Sequence, residues 1–155
     1  MKRILIYDVE HSVCDELRQL LMNILSPDEC SIMTVLDHTQ AEEYLRTGVD
    51  LVFLDIVLSD DADGIEFAKR IRRNHRDVKI IFITAHIRYC EEIFEVLPDG
   101  FLVKPFTAGK VERSLNIILK RSVRQQEDIV IKSSKSSIRR IPAGVFFCAA
   151  ITAFP

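Results

Sequence analysis

The sequence has no long hydrophobic run, and this absence limits where the protein can reside. The apolar stretch 145–154 has ten residues, about half of the roughly 20 that a transmembrane helix needs. The first apolar run is interrupted at Asp8, too early for the core of a signal peptide. We therefore expect a cytoplasmic protein with no membrane-spanning segment.

The chain also has little net charge, −2 at neutral pH. This value excludes a strong overall attraction to nucleic acid or to a membrane surface. The charge is unevenly distributed, because residues 129–155 contain four cations and no acid and the first 128 residues therefore carry −6. An acidic body followed by a basic tail indicates two segments with different roles.

Cysteine and histidine are sparse and scattered. No two of the four cysteines have the spacing of metal ligands, and we expect reduced, mostly buried thiols at Cys14, Cys30, Cys90 and Cys148. The histidines lie on four separate segments, at His11, His38, His75 and His86. This scatter argues against a zinc site or a catalytic histidine pair. The cationic run 69–76 ends a predicted helix, where cations suit the helix dipole, and we expect it to be a solvated face.

Strand-like and helix-like segments alternate along the sequence. Short apolar runs predict five strands, at 4–7, 31–36, 51–54, 78–84 and 100–104. Apolar residues with helical spacing follow each run and predict helices at 13–24, 39–45, 64–73, 88–96 and 107–124. This alternation is typical of a parallel sheet with helices on both faces. The predicted fold class is α/β, a flavodoxin-like doubly wound sheet of five strands in the order 2-1-3-4-5.

Polar side chains occupy the carboxyl ends of four predicted strands. Asp8 follows strand 1 and Asp55 follows strand 3, which brings both to the switch point where such sheets bind ligands. Thr84 ends strand 4 and Lys104 ends strand 5. Two carboxylates, a hydroxyl and an ammonium suit Mg²⁺ together with a phosphoryl group. A carboxylate can form an acyl phosphate if its surroundings neutralise the charge of the phosphoryl oxygens.

The segments that contain these residues resemble the response-regulator receiver family. They are, in chain order, ILIYDVE, LVFLDIVLSDDADGIEFAKRIR, IIFITAH and GFLVKPF, and they extend over about residues 2–122. The resemblance implies a two-component signalling switch that is phosphorylated by a sensor histidine kinase. Such a domain assists its own phosphorylation and dephosphorylation but is not a turnover enzyme.

The resemblance also assigns residues to the phosphorylation site. Asp55 is the expected phosphoacceptor, and Asp8, Asp55 and the main-chain carbonyl of Val57 are the expected Mg²⁺ ligands. Lys104 is the expected phosphate-binding lysine. The peptide bond between Lys104 and Pro105 is expected to be cis and to direct the lysine into the cleft.

Two further residues are expected to transmit the signal. By the same resemblance, Thr84 is the switch hydroxyl and Phe101 is the switch aromatic. The phosphoryl group is expected to draw Thr84 inward, and Phe101 is expected to move into the space that Thr84 leaves. The face formed by helix 4, strand 5 and helix 5 would then change its contacts with partners, including a second copy of the chain in a homodimer.

One position departs from the family pattern. The family usually has two adjacent acids after strand 1, the second of which contacts Mg²⁺, whereas here Asp8 is followed by Val9. Glu10 is the nearest replacement, from the turn between strand and helix. The departure leaves open a pseudo-receiver that keeps the fold and the dimer face but takes no phosphate. A flavodoxin-like redox protein is a third alternative, but strand 1 is not followed by a Ser/Thr-rich phosphate loop.

The last segment is predicted to be a linker and an incomplete output domain. The stretch EDIVIKSSKSSIRRIP resembles the opening of a LytTR-type DNA-binding domain, but AGVFFCAAITAFP after it lacks the strands and charges that such a domain needs. We therefore expect a receiver domain over 1–124 and a stub over 125–155. The stub implies descent from a transcription regulator, and we expect no sequence-specific DNA binding by this chain.

Overall fold

The computed structural model describes residues 1–58, 63–85 and 90–127, and strands and helices alternate throughout this part of the chain. The elements are β1 (Lys2–Tyr7), α1 (His11–Ile24), β2 (Cys30–Val35), α2 (His38–Arg46), β3 (Leu51–Asp55), α3 (Asp63–Asn74), β4 (Lys79–Thr84), α4 (Cys90–Val96), β5 (Gly100–Val103) and α5 (Ala108–Glu127). No helix in the described ranges is long and apolar enough to cross a membrane.

The five strands form one parallel sheet in the order β2-β1-β3-β4-β5. This order confirms the predicted flavodoxin-like fold. The chain moves outward from β1 to β2 and then returns to place β3 on the other side of β1. The carboxyl ends of β1 and β3 therefore lie side by side at the point where the winding reverses, which is where such sheets bind ligands.

Alternate residues of the central strands pack on opposite faces of the sheet. Leu51 and Phe53 of β3 belong to one apolar core with residues of α1 and α5. Val52 and Leu54 belong to a second core with residues of α2, α3 and α4. Every residue of β3 is buried, which explains why its sequence is apolar without interruption.

Four helices differ from the prediction by one to three residues at their ends. α5 extends to Glu127, three residues beyond the predicted end at Arg124. The residues that continue it have good helix propensity and include neither glycine nor proline to stop it. α3 begins at Asp63 rather than at Gly64. The predicted start of helix 4 at 88 and the predicted output stub beyond 127 lie outside the described residues.

Candidate functional site

Two buried acids lie side by side at the carboxyl edge of the sheet. Asp8 follows β1 and is 0% exposed, and Asp55 is the last residue of β3 and is 5% exposed. The register of these strands pairs Tyr7 with Leu54, so the two acids come next on neighbouring strands. An apolar interior disfavours ionised carboxylates unless they are paired with a cation. This pair therefore requires a positive charge close by.

Lys104 supplies a positive charge to both acids. Its Nζ lies 2.8 Å from Asp55 Oδ2 and 2.7 Å from Asp8 Oδ2. The backbone of Lys104 is fixed by its own N–H, which donates to the carbonyl of Thr84 at 2.9 Å. The Lys104–Pro105 peptide is cis, which confirms the prediction for that bond. The four residues predicted from strand ends are therefore all at one edge of the sheet.

Burial and pairing have opposite effects on the titration of these groups. Burial raises the pKa of Asp8, although the neighbouring Lys104 ammonium and the backbone N–H of Glu10 oppose the increase. Burial alone would lower the pKa of Lys104, but its contacts with Asp55 and Asp8 outweigh that effect and the pKa is raised. The lysine is therefore charged at neutral pH, and Asp8 is harder to ionise than an exposed aspartate.

Glu10, and not the residue directly after Asp8, brings a third carboxylate to the cleft. Val9 is 45% exposed and offers no donor atom to the cleft. The carboxylate of Glu10 reaches to 3.4 Å from Lys104 Nζ, although its side chain is 60% exposed. Glu10 precedes α1 and does not cap that helix through its side chain. Its carboxylate is therefore free to point into the cleft.

The donors at this edge fit a hard divalent cation. One carboxylate oxygen from each of Asp8, Glu10 and Asp55 lies within 4.8 Å of the others. Asp8 Oδ2 is buried and has no hydrogen-bond partner of suitable geometry, although Lys104 Nζ is within ion-pairing distance. Oxygen donors and a small number of carboxylates are what Mg²⁺ requires in proteins. The side chains present therefore suit the cation that the sequence predicts.

The residues on either side of 59–62 are linked by hydrogen bonds close to Asp55. Asp55 Oδ1 accepts from the backbone N–H groups of Ile56 and Val57 at 2.7 and 3.4 Å. Across the loop, Gly64 N donates to the carbonyl of Ile56 at 3.0 Å. A Cβ atom at Gly64 would lie 2.0 Å from the carbonyl oxygen of Asp55. Glycine is therefore required for α3 to begin so close to the end of β3.

The two predicted switch residues occupy different environments. Thr84 is the last residue of β4 and is completely buried. Phe101 is opposite Phe82 in the pairing of β4 with β5, and it is partly buried against the core beneath α2, α3 and α4. Their switching role stays a prediction. The same applies to the individual Mg²⁺ ligands, including the carbonyl of Val57.

His11 and His38 contact residues other than Asp8, Asp55 and Lys104. His11 pairs with Asp15 of its own helix at 2.9 Å, and the ring of His38 packs edge-on against Phe67 at a centroid distance of 4.5 Å. The described residues contain one group of three or more potential metal-binding side chains, and it includes no histidine. His86 lies outside the described residues.

The cationic run 69–76 is only partly the solvated face that we predicted. Arg73 and Arg76 are exposed, but Arg72 is half-buried. The guanidinium of Arg72 donates to the carbonyls of Val78, Val96 and Leu97 at 2.5 to 3.2 Å. The Arg72 side chain points inward because carbonyl groups at the end of α4 and before β4 accept its hydrogen bonds.

Comparison with known proteins agrees with this geometry. The sequence model of the response regulator receiver domain matches residues 4–116. Sensory transduction protein LytR of Staphylococcus epidermidis is 34% identical over 112 residues, which are 72% of this chain and 44% of that protein. Sensory transduction protein LytT of Bacillus cereus is 33% identical over 132 residues, 82% of this chain and 51% of that protein. The chain thus spans about half the length of the curated relatives it matches.

Two solved structures share the fold over nearly their whole length. A two-component response regulator from Clostridium difficile has a TM-score of 0.68 and 26% identity, covering 79% of this chain and 98% of that one. The response regulator TrrA of Thermotoga maritima, solved with Mg²⁺–BeF, has a TM-score of 0.60 and 30% identity, covering 81% of this chain and 98% of that one. Because the family model matches residues 4–116 and the fold agrees with it, the chain belongs to the response regulator receiver family.

Proposed function

We propose that this receiver accepts a phosphoryl group on Asp55 from the phosphohistidine of a sensor histidine kinase. The observation that carries the proposal is the contact of Lys104 Nζ with Asp55 Oδ2 at 2.8 Å and with Asp8 Oδ2 at 2.7 Å. A buried nucleophile, a second acid and a fixed ammonium thus converge at the ligand-binding edge of the sheet. This combination favours phosphotransfer over the pseudo-receiver.

The transfer requires a nucleophile and neutralisation of charge. An oxygen of the Asp55 carboxylate forms the new O–P bond while the P–N bond to the donor histidine breaks. The electron pair of that bond stays on the imidazole nitrogen. Lys104 is positioned to attract the phosphoryl oxygens, whose negative charge must be neutralised in the transition state.

Asp8, Asp55, Glu10 and the main-chain carbonyl of Val57 are the residues that would hold Mg²⁺. When bound, the cation supplies positive charge to the phosphoryl oxygens, in addition to that of Lys104. The donor set of the described residues supports this assignment. The relative TrrA was solved in a complex with Mg²⁺–BeF, which supports the same class of ligand here.

The output of the switch is proposed to be the face formed by α4, β5 and α5. Phe94 and Leu97 near the end of α4 and Val103 of β5 are exposed apolar residues. Exposed apolar side chains on neighbouring elements are suited to contact with another protein. Movement of Thr84 and Phe101 on phosphorylation would alter this face. We propose that its partners include a second copy of the chain.

The receiver is proposed to extend over 1–124, with a linker and output stub over 125–155. Val111, Leu115 and Ile118 anchor α5 to the core beneath it, and all three precede the proposed boundary. Because α5 continues to Glu127, the linker begins inside the last helical turns. A chain truncated after Arg124 should unfold cooperatively in calorimetry. Failure of this truncated chain to fold would place the boundary further along the sequence.

Intact-protein mass spectrometry tests the central proposal. Incubation with acetyl phosphate and saturating Mg²⁺ should add the mass of one phosphate to the wild type and none to Asp55→Asn. A matched control is Asp50→Asn, which removes an acid at the opposite end of β3. That variant should be phosphorylated like the wild type. A wild type that gains no phosphate under these conditions would establish the pseudo-receiver instead.

A further inference from the structure

The main-chain carbonyl of Val57 belongs to the same planar peptide unit as the amide N–H of Leu58. Within the described part of the chain the cis peptide is Lys104–Pro105, so the unit that joins Val57 to Leu58 is trans. In a trans unit the carbonyl and the N–H point in opposite directions. A group that fixes the N–H of Leu58 therefore also fixes the direction of the Val57 carbonyl.

Asp63 is that group. The N–H of Leu58 donates to Asp63 Oδ1 at 3.0 Å, and this bond joins the residues on either side of 59–62. The side chain of Leu58 is only 7% exposed and packs in the core beneath α2, α3 and α4. Packing on one side and the hydrogen bond on the other leave the peptide unit little freedom to rotate.

Gly64 brings Asp63 within reach of Leu58. The absence of a Cβ atom at Gly64 allows the first turn of α3 to contact the carbonyl of Asp55, and Gly64 N donates to Ile56 O at 3.0 Å. The start of α3 is therefore held directly against the end of β3. Asp63 is the first residue of that helix, so its side chain is held at the edge of the loop.

We propose that Asp63 is a positioning residue of the cation site, and that it acts by directing the carbonyl of Val57 away from itself. The inference rests on the proposed function, since the carbonyl matters only if a cation binds there. Two other effects of an acid in this place depend on its charge: attraction to the helix dipole and long-range attraction of the cation. The positioning effect depends instead on the acceptor oxygen, which asparagine retains.

Two substitutions separate the acceptor from the charge. Asp63→Asn keeps an acceptor oxygen and removes the charge, whereas Asp63→Ala removes both. Isothermal titration calorimetry with MgCl₂ gives the affinity, and the ¹³C shift of the Val57 carbonyl during the same titration reports on ligation. We expect about 10-fold weaker binding and a smaller Val57 shift in Asp63→Ala, and affinity within about 2-fold of wild type in Asp63→Asn. Glu66→Ala, which removes another acid of the first turn of α3, should leave both measurements unchanged.

The outcomes distinguish this inference from the proposed function. Equal losses in Asp63→Asn and Asp63→Ala would overturn the inference, because charge would then account for the effect. Unchanged binding in Asp63→Ala would overturn it as well. If Asp63→Ala does not fold, Asp63→Asn decides alone: a retained affinity and Val57 shift support positioning, and their loss refutes it. A wild type that is phosphorylated while Asp63→Ala binds Mg²⁺ normally refutes only the positioning role, whereas a wild type that binds no Mg²⁺ refutes the proposed cation site itself.

Discussion

Arg72 Nη2 lies 2.7 Å from Asp99 Oδ2, at the edge of the sheet opposite the acidic cleft. Asp99 Oδ2 also accepts from the backbone N–H of Ile80 at 3.0 Å. The same guanidinium donates to the last carbonyls of α4 and to the carbonyl before β4. One side chain of α3 thus joins the end of α4 to the start of two strands.

Arg72→Ala should therefore lower the free energy of unfolding by about 2–3 kcal/mol, because it removes the guanidinium donor from three carbonyls and one of the cationic partners of the Asp99 carboxylate. Urea denaturation followed by circular dichroism measures the change. Arg73→Ala is the matched control, since Arg73 is exposed and makes one long contact, to the carbonyl of Lys69 at 3.4 Å. We expect a change within about 0.5 kcal/mol for that control. Equal effects of the two substitutions would contradict the structural role of Arg72.

The acid that the family pattern has next to Asp8 can be restored. Val9→Asp should bind Mg²⁺ at least about 10-fold more tightly, since a direct contact between opposite charges is worth a few kcal/mol at an effective dielectric of about 20. In EDTA the same variant should be less stable than the wild type, because the new carboxylate repels Asp8 and Asp55. Calorimetric Mg²⁺ titration and thermal unfolding provide the two measurements.

Val9→Asn controls for the change of shape without the charge, and its Mg²⁺ affinity should stay near that of the wild type. If Val9→Asp also binds Mg²⁺ no better than the wild type, then Glu10 or water already fills the position. This outcome would make Glu10→Gln the informative variant, because it removes the charge that replaces the missing acid.

The sequence was sufficient to predict the sheet and the residues at its carboxyl edge. Parallel strands all deliver their last residues to one edge, so the positions of Asp8, Asp55, Thr84 and Lys104 follow from strand ends and strand order alone. Apolar runs locate the central strands, because a strand that is buried on both faces is apolar at nearly every position. The fold class and the grouping of these residues therefore required no knowledge of distances.

Other features depend on tertiary contacts that no local pattern contains. Arg72 is one cation in a run of similar residues, and only the end of α4 determines that it turns inward. Asp63 is one of three acids in the sequence SDDADG, and its bond to Leu58 depends on how closely α3 approaches β3. The reach of Glu10 across its turn likewise depends on the orientation of α1. For Gly64 a signal was present, since glycine within a helix start often marks a close backbone approach.

In the absence of metal, Asp8 should make the free energy of unfolding of the domain depend on pH. Its pKa is raised above the usual 3.8, chiefly by burial. The native state therefore holds the Asp8 proton more tightly than the unfolded state, and this contribution to stability is lost as pH rises through the native pKa. In EDTA, Asp8→Asn should accordingly be more stable than the wild type at pH 7. The difference should shrink as pH falls through the raised native pKa towards 3.8.

Chemical denaturation at pH 7 and at pH 3.5 tests this dependence. Added Mg²⁺ should reverse the order of stability at pH 7, because it stabilises only a chain that binds it. A metal-free Asp8→Asn that is less stable than the wild type at pH 7 would show that the Lys104 pair outweighs burial. The direction assigned to the pKa of Asp8 would then be wrong.

Lys104 occupies the space between the acids that are proposed to bind the cation, with its Nζ 2.7 and 2.8 Å from Asp8 and Asp55. Lys104→Met should raise Mg²⁺ affinity at least about 10-fold, because it removes a like charge from the site. The same variant should be phosphorylated by acetyl phosphate about 100-fold more slowly, since a donor to the phosphoryl oxygens is lost. Lys110→Met removes the same charge from an exposed position of α5 and should change neither quantity by more than about 2-fold. If the two variants bind Mg²⁺ equally well, Lys104 does not compete with the cation, and the ammonium and the metal must then occupy separate parts of the cleft.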